Sequence, residues 1–265
     1  MTATGQGPYD ATISAHYDAD FAAFFGGDDR GDLAFFRSLA RACEGPIAEI
    51  GAGTGRVALA VTDVVAAGRL TAVEPSAGMR ARCVERARAA GIPLAVSAGS
   101  FTDIPLPTGS QALVFAAFRS FQHVLTTADQ LRSLAEMRRV LRPGGLIALD
   151  LFEPDYRILR RSRARLGLGY RRGEHTVERW EARAIDRVAQ RVDVTYRWIV
   201  RDARGVVVQD DTATYPVRYT FAIELEHLLH RAGLADLEIR GGYDGRPRGP
   251  RTEELVVVCT SPGPP

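Results

Sequence analysis

The sequence predicts an α/β fold in which a seven-stranded mixed sheet carries an inserted antiparallel β region. Between residues 46 and 152, short apolar runs alternate with longer amphipathic runs, which is typical of βαβ units and a parallel sheet. After Glu153 the period changes to two, because apolar and polar residues alternate from Val192 to Val200. A helical run and two apolar runs end the chain, and these add two strands to the first five.

Turn and cap residues delimit the elements of the first half, which follow two predicted helices within residues 1–45. Pro75 ends the second strand, Ser76 caps the next helix, and Arg142-Pro143-Gly144-Gly145 stops the helix before the fifth strand. The predicted strands are Ile47–Ile50, Leu70–Glu74, Leu94–Ala98, Ala112–Ala117 and Leu146–Phe152. The predicted helices between them are Val57–Val65, a helix through Met79, Cys83 and Arg86, and Ala128–Leu141.

Period-two alternation places further strands in the second half. Runs near Val177–Ile185 and Val206–Tyr215 flank the strand around Trp198, and Asp202–Gly205 forms a hairpin loop. The rest of the chain is predicted as a helix, Phe221–Ala232, closed by Gly233, and two strands, Leu237–Arg240 and Leu255–Thr260.

Composition excludes several classes of protein. A chain of 265 residues with 46% hydrophobic and 25% charged residues fits one large globular domain. No apolar run reaches the roughly 20 residues needed to span a bilayer, and Met1–Asp10 does not resemble a signal peptide. Cys43, Cys83 and Cys259 are odd in number and far apart, which favours reduced thiols in the cytoplasm and predicts no zinc site.

The formal net charge of +2 is close to neutral and does not by itself indicate nucleic-acid binding. Residues 157–191 nevertheless hold eleven Arg against four acidic residues. That stretch is compatible with an RNA or an anionic substrate, and equally with solvated faces of strands and helices.

A glycine run lies between the first strand and the first core helix: Glu49-Ile50-Gly51-Ala52-Gly53-Thr54-Gly55-Arg56. Its glycines allow close approach of backbone to a ligand, and the helix that follows directs free N–H groups at the same place. A dinucleotide fingerprint needs a third glycine three residues after the second, and Arg56 occupies that position. This spacing disfavours a nicotinamide dehydrogenase. The pattern E-x-G-x-G-x-G resembles motif I of the class I S-adenosylmethionine-dependent methyltransferases.

Two further motifs carry the same resemblance. Glu74 closes the second strand nineteen residues after Gly55, where this family places an acid for the two ribose hydroxyls of the cofactor. A carboxylate suits that role because it can accept both hydroxyl protons. The run Leu141-Arg142-Pro143-Gly144-Gly145 matches the turn that these enzymes place before the fifth strand. The resemblance implies a Rossmann-like class I methyltransferase fold and S-adenosyl-L-methionine as cofactor.

The segment Phe118–Leu125 follows the fourth strand, at the edge where ligands bind in such sheets. It resembles the corresponding stretch of small-molecule N-methyltransferases of the glycine and amino-sugar types. The resemblance implies that His123 lies beside the reacting centre as base or orienting group. It also implies that Tyr17, in His16-Tyr17-Asp18, lies over the cofactor or the substrate. The alternatives are a structural histidine and a helix-packing tyrosine.

The sequence departs from the family at two places. After the third strand, Gly99-Ser100-Phe101 lacks the usual acid, and before the fourth strand Gln111 stands where an Asp is common. Ser100, a backbone group or Asp103 must then serve the adenine, with Met79 and Phe101 on its two faces. The complete set implied for the cofactor is Glu49, Gly51, Ala52, Gly53, Gly55, Arg56, Glu74, Pro75, Met79, Ser100, Phe101 and Ala117. The set implied for the substrate is Tyr17, Arg119, His123, Tyr215, Arg218 and Tyr243.

These observations predict four regions. They are an N-terminal helical lid (1–45), a cofactor-binding core (46–152), an antiparallel β insertion roofing the substrate cavity (153–220), and a helix and strand pair completing the sheet (221–265). The predicted function is methyl transfer to N or O of a small molecule, as in natural-product biosynthesis. The alternatives are a non-methylating, cyclase-type enzyme on the same fold, an RNA methyltransferase and a non-catalytic subunit. Monomer and homodimer both remain open.

Overall fold

A computed structural model describes residues 11–26, 30–154, 163–250 and 252–262 of the chain. Its helices are α1 (Ala11–Phe25), α2 (Asp32–Ala42), α3 (Arg56–Thr62), α4 (Ala77–Ala89), α5 (Thr127–Val140) and α6 (Ala222–Arg231). Its strands are β1 (Ile47–Ile50), β2 (Leu70–Glu74), β3 (Ala95–Ala98), β4 (Gln111–Ala116), β5 (Leu141–Phe152), β6 (Arg165–Arg172), β7 (His175–Asp186), β8 (Arg191–Arg201), β9 (Val207–Arg218), β10 (Ala235–Arg240) and β11 (Glu254–Thr260). A 3-10 helix spans Ser120–His123.

The main sheet has seven strands in the order β10-β11-β5-β4-β1-β2-β3. Strands β3, β2, β1, β4 and β5 run parallel, whereas β11 pairs antiparallel with both β5 and β10. Every residue of β1 and of β4 is buried, as expected for parallel strands that are covered on both faces. The carboxyl ends of the parallel strands therefore meet at one edge, and the glycine run leaves β1 there.

Helices form an apolar layer on each face of this sheet. On one face, Phe36 of α2 stacks on Phe115 of β4 with ring centroids 4.8 Å apart, next to α3. On the other face, Leu134 of α5 and Leu229 of α6 are fully buried against Ile147 of β5. This double cover fixes the strand ends that carry the candidate site.

The inserted region forms a second, antiparallel sheet in the order β6-β7-β8-β9. The sequence predicted three of these strands, and it missed β6. Gly167 and Gly169 separate the apolar side chains of β6, and glycine weakens a strand, so the pattern was not recognised. A bulge between Leu166 and Leu168 interrupts its pairing with β7 as well.

The predicted α/β class and the seven-stranded mixed sheet are confirmed, with shifts at element ends. The first core helix ends at Thr62 rather than Val65, and the fifth strand begins at Leu141 rather than Leu146. The turn residues 142–145 lie within that strand, where the register with β4 shifts. Residues 1–10 and 27–29 of the predicted lid and residues 157–162 of the Arg-rich stretch lie outside the described residues.

A buried carboxylate attaches the first helix to the inserted sheet. Asp20 of α1 accepts hydrogen bonds from Tyr170 Oη at 2.8 Å and Trp198 Nε1 at 2.8 Å, and it pairs with Arg179 Nη1 at 3.2 Å. These three partners belong to β6, β8 and β7. His16, one turn earlier, stacks on Trp198 with centroids 4.6 Å apart. Helix α1 is thereby attached to the inserted sheet.

We expect Asp20→Ala to lower the free energy of unfolding by about 3 kcal/mol, because Arg179 would remain buried without its partner. Urea denaturation monitored by circular dichroism measures this loss. The matched control is Asp210→Ala, which removes a fully exposed partner of Arg197 and should change stability little. Equal stability of the two variants would contradict the anchoring role of Asp20.

Candidate cofactor and acceptor site

The glycine run forms a tight turn between β1 and α3. Gly51, Gly53 and Gly55 have φ of +73°, +58° and +81°, a region that other residues adopt at a cost. A Cβ on Gly51 would lie 2.9 Å from Ser120 Cβ, and one on Gly55 would lie 2.5 Å from Cys83 Sγ. A Cβ on Gly53 would meet no heavy atom within 4 Å. Gly51 and Gly55 thus allow the loop to pack, whereas Gly53 faces open space.

Glu74 holds the same loop from the end of β2. Its Oε2 accepts the N–H of Gly53 at 2.9 Å, and its Oε1 accepts the N–H of Ser76 at 2.8 Å. Burial raises the pKa of Glu74, and the two backbone hydrogen bonds oppose that rise. Ser76 also caps α4 by accepting the N–H of Met79, as the sequence predicted. Glu74 is therefore placed directly beside Gly53.

Glu49 lies at the other side of the loop, in the centre of β1, and only 2% of it is exposed. Burial raises its pKa to about 8, although Arg56 and the N–H of Ala58 favour the ionised form. Among the described residues, its Oε2 has no hydrogen-bond partner. A cation brought to this oxygen would lower the pKa again.

Helix α1 covers the loop. Burial raises the pKa of Tyr17, and the charges that act on this phenol are those of Arg56, Asp18, Glu74 and Glu49. Tyr17 therefore lies near Arg56, Glu74 and Glu49, and its place over the cofactor or the substrate stays a prediction. Asp18 accepts a hydrogen bond from Thr54 Oγ1 at 2.7 Å and from Arg86 Nη1 at 3.0 Å. These bonds connect α1 to the glycine run and to α4.

Arg56 connects the loop to α2 and α1. Its guanidinium pairs with the buried Asp32 and lies 4.4 Å from the ring centroid of Phe21 and 5.4 Å from that of Phe118. Arg56 thus stabilises the closed arrangement of the N-terminal helices around the loop.

The residues implied for the adenine lie around the ends of β2 and β3. Phe101 is buried, approaches Gly51, and makes an edge-on contact with Phe121 at 5.6 Å. Ser100 pairs through its backbone with Asp103, and its hydroxyl lies 3.2 Å from Thr102 Oγ1. Met79 is 1% exposed and packs with α1 and the inserted sheet. The remaining residues differ in exposure: Pro75 is exposed, whereas Ala52 and Ala117 are buried.

His123 lies at the end of the 3-10 helix that follows β4. Its Nδ1 is 3.1 Å from the carbonyl oxygen of Pro216, and its ring is 5.8 Å from the ring of Tyr215. Burial lowers the pKa of His123 to about 4, so the ring is neutral at physiological pH. Since a carbonyl only accepts, Nδ1 carries the proton and Nε2 is the basic nitrogen.

The inserted sheet brings Tyr215 to His123, and it places Arg218 against the same segment, since the carbonyl oxygen of Arg218 accepts a hydrogen bond from Gln122 Nε2 at 3.3 Å. Tyr215 donates a hydrogen bond to Tyr196 Oη at 3.1 Å on the same face of the sheet. Arg218 bonds to Thr127 Oγ1 at 3.0 Å and to Glu224 Oε1 at 3.0 Å, which fixes the end of β9 to α5 and α6. The side chain of Arg218 therefore helps to attach the insertion, and its part in acceptor binding stays a prediction.

Arg119 and Tyr243 belong to a partly buried cluster of polar side chains at the end of β5. Arg119 Nη2 pairs with Glu254 Oε1 at 2.8 Å, and Arg30 pairs with the same carboxylate. The backbone N–H of Arg119 and the hydroxyl of Tyr243 both donate to Asp150. Sequence reasoning missed Asp150, Glu254 and Arg30, because they are far apart in the chain and match no motif.

Two acidic residues of α1, Asp18 and Asp20, were missed for a different reason. The signal was present, since Asp18 stands directly beside Tyr17 in the sequence. Only the fold shows that the two carboxylates reach the glycine run and the inserted sheet respectively.

The residues present fit S-adenosylmethionine. Gly53 opens onto free space beside the carboxylate of Glu74, and the buried Oε2 of Glu49 offers an acceptor for an ammonium group. The described part of the chain contains no group of three or more His, Cys, Asp and Glu side chains able to hold a metal ion. None of the helices within the described residues is long and apolar enough to cross a membrane.

Comparisons with known proteins agree with this geometry. A family model described as a methyltransferase domain matches residues 47–145. The CcbJ methyltransferase of Streptomyces caelestis has a similar structure, with a TM-score of 0.77, 25% identity, and coverage of 97% of this chain and 99% of that chain. No curated protein matches the sequence significantly.

Two sugar-modifying enzymes also share the fold. A sugar N-methyltransferase of a Streptoalloteichus species has a TM-score of 0.74 and 19% identity, and the match covers 99% of both chains. An amino pentose methyltransferase of Micromonospora echinaspora, solved with S-adenosylmethionine bound and involved in calicheamicin biosynthesis, has a TM-score of 0.72 and 18% identity. That match covers 92% of this chain and 96% of the other.

Proposed function

We propose that this S-adenosylmethionine-dependent methyltransferase transfers its methyl group to a nitrogen or oxygen of a small molecule, and that His123 faces the acceptor. The observation that carries the proposal is the neutral His123 beside the aromatic face of the inserted sheet, with Nε2 as its basic nitrogen. A natural product bearing an amino sugar is the acceptor class that we favour, because two proteins of the same fold act on such groups.

The cofactor supplies an electrophilic methyl group on a sulfonium. The chain's residues would hold it and exclude water: Glu74 would bind the ribose hydroxyls, and Glu49 the ammonium of the methionine end. Tyr17 and the rest of α1 would cover that end and so keep water from the reacting centre. Alignment of donor and acceptor accounts for most of the acceleration in such a displacement.

His123 Nε2 would accept the proton that an amine or a hydroxyl loses when it is methylated. The bond from Nδ1 to Pro216 fixes both the tautomer and the orientation of the ring. Tyr215, against the same ring, would position the acceptor from the roof.

The experiment incubates the protein with S-adenosylmethionine and two matched sets of small acceptors, amino sugars and their hydroxyl analogues. We expect release of S-adenosylhomocysteine together with an acceptor heavier by one methylene group. Methylation of the hydroxyl set alone would exclude an amine acceptor. Conversion of an acceptor without release of S-adenosylhomocysteine would contradict methyl transfer altogether.

A further inference from the structure

The carboxylate of Asp150 is fully buried at the carboxyl end of β5. It accepts the backbone N–H of Arg119 at 3.0 Å through Oδ1 and the hydroxyl of Tyr243 through Oδ2. Burial raises the pKa of Asp150, whereas these two hydrogen bonds and the charge of Arg30 lower it. A buried acid costs stability unless its bonds are made, so the bond to Arg119 is a defined constraint on the neighbouring turn.

That turn adopts an unfavourable backbone conformation. Phe118 and Arg119 have φ of +52° and +65°, and neither is glycine. Two successive residues in the left-handed region persist only where their surroundings hold them. The ring of Phe118 packs against both Phe21 and Phe25 of α1, and the side chain of Arg119 pairs with Glu254. Asp150 holds the backbone itself.

The turn leads directly into the 3-10 helix, which contacts both the glycine run and the inserted sheet. Ser120 packs against Gly51 of the cofactor loop, with its Oγ 3.4 Å from the carbonyl oxygen of Ile50. His123, at the other end of the same helix, bonds to Pro216 of the inserted sheet. A change of φ at Arg119 would rotate this helix and move both contacts.

We propose that Asp150 is a positioning residue, which holds the turn 118–119 in its left-handed conformation and thereby fixes His123 relative to the cofactor loop. The proposal rests on the proposed function, in which His123 faces the methyl acceptor. The group acts through its hydrogen bond to a backbone N–H, so an uncharged acceptor at the same place should replace it.

Two variants separate the hydrogen bond from the charge. Asp150→Asn keeps an oxygen for the N–H of Arg119, whereas Asp150→Leu has similar volume and no acceptor. We expect hydrogen exchange of the segment 117–124, measured by mass spectrometry, to be at least about 10-fold faster in Asp150→Leu and nearly unchanged in Asp150→Asn.

The titration of His123 provides a second measurement of how firmly the 3-10 helix is held. Burial holds the pKa of its imidazole at about 4, so a loosened helix should move it toward the unperturbed 6.5. Proton–carbon NMR of the imidazole Cε1 follows this titration, and the His123→Gln spectrum identifies the signal. We expect the shift in Asp150→Leu and not in Asp150→Asn.

Leu151→Ala is the matched control for loss of stability, since Leu151 is fully buried next to Asp150 and lies in the apolar cluster that faces α6. It should lower the melting temperature without selective exchange at 117–124. If Asp150→Leu does not fold, Asp150→Ser gives a variant that admits water in place of the carboxylate. Unchanged exchange and unchanged His123 titration in the folded variant would overturn the proposal.

Neither reading needs a methyl acceptor. A failure of the acceptor experiment would therefore overturn the proposed function alone, and unchanged exchange together with unchanged His123 titration would overturn the role of Asp150 alone.

Discussion

Replacement of Gly53 by valine is expected to weaken S-adenosylhomocysteine binding on the order of 100-fold, or about 2.7 kcal/mol. Gly53 has φ of +58°, which a β-branched residue adopts only with strain. The added side chain would also project into the open space beside Glu74, where the resemblance to the family puts the cofactor. Isothermal titration calorimetry with S-adenosylhomocysteine measures the loss.

The matched control for backbone strain is Gly109→Val. Gly109 has φ of +67°, and a Cβ there would likewise meet nothing within 4 Å. It precedes β4, at the opposite edge of the sheet from the site, so its substitution should affect folding stability and leave affinity unchanged. Equal loss of affinity in both variants would show that strain, rather than the place of Gly53, is responsible.

Glu74→Ala tests the same assignment without touching the glycine backbone. It removes the acceptor of the Gly53 N–H and the carboxylate proposed for the ribose hydroxyls. We expect affinity for S-adenosylhomocysteine to fall by about 10- to 100-fold, since each hydrogen bond to a charged group contributes about 1.5–3 kcal/mol. Unchanged affinity in both Gly53→Val and Glu74→Ala would overturn the location of the cofactor.

The sequence predicted the fold well because its signals are local. The glycine run, Pro75 with Ser76, and the apolar core strands each depend on a few neighbouring residues, and each was found in the predicted order. The glycine turn between β1 and α3 could be predicted for the same reason, and the parallel pairing of β1 with β2 brings Glu74 beside Gly53. Their role in cofactor binding stays a prediction.

The remaining features could not be predicted, because they depend on contacts between distant parts of the chain. Asp150 meets Arg119 and Tyr243 only after β4, β5 and the last loop have packed together. The positive φ of Arg119 has no signature in a non-glycine residue. Strand β6 lacked a strong pattern, and its pairing with β7 defines it.

The sequence also does not show the contacts that Arg218 and Tyr243, both predicted as acceptor residues, make in the folded chain. Arg218 is the last residue of β9 and Tyr243 follows β10, and the sequence shows no more than this position at strand ends. In the folded chain Arg218 bonds to α5 and α6, and Tyr243 bonds to Asp150 beneath the N-terminal helices. Their part in acceptor binding stays a prediction.

Removal of the imidazole in His123→Ala is expected to slow methyl transfer by about 100-fold, the lower range for loss of a positioned general base. The affinity for S-adenosylhomocysteine should stay within about 2-fold, because His123 is held by Pro216 and Tyr215 of the inserted sheet. Steady-state turnover with the amine found in the acceptor experiment measures the first quantity, and calorimetry measures the second. His175→Ala, an exposed histidine at the start of β7, is the control and should leave both unchanged.

The pH dependence of turnover distinguishes a role of His123 as a base from a role in packing. Because burial lowers the pKa of His123 to about 4, its basic nitrogen is already unprotonated above that pH. Turnover in the native protein should then rise with pH as the acceptor amine loses its proton. Protonation of His123 should lower turnover further only when the pH falls toward 4. His123→Gln can still donate to Pro216 and fill the space, yet it offers no basic nitrogen. Slow turnover in His123→Gln, without the step near pH 4, would identify proton acceptance as its role, whereas native turnover in this variant would reduce His123 to packing.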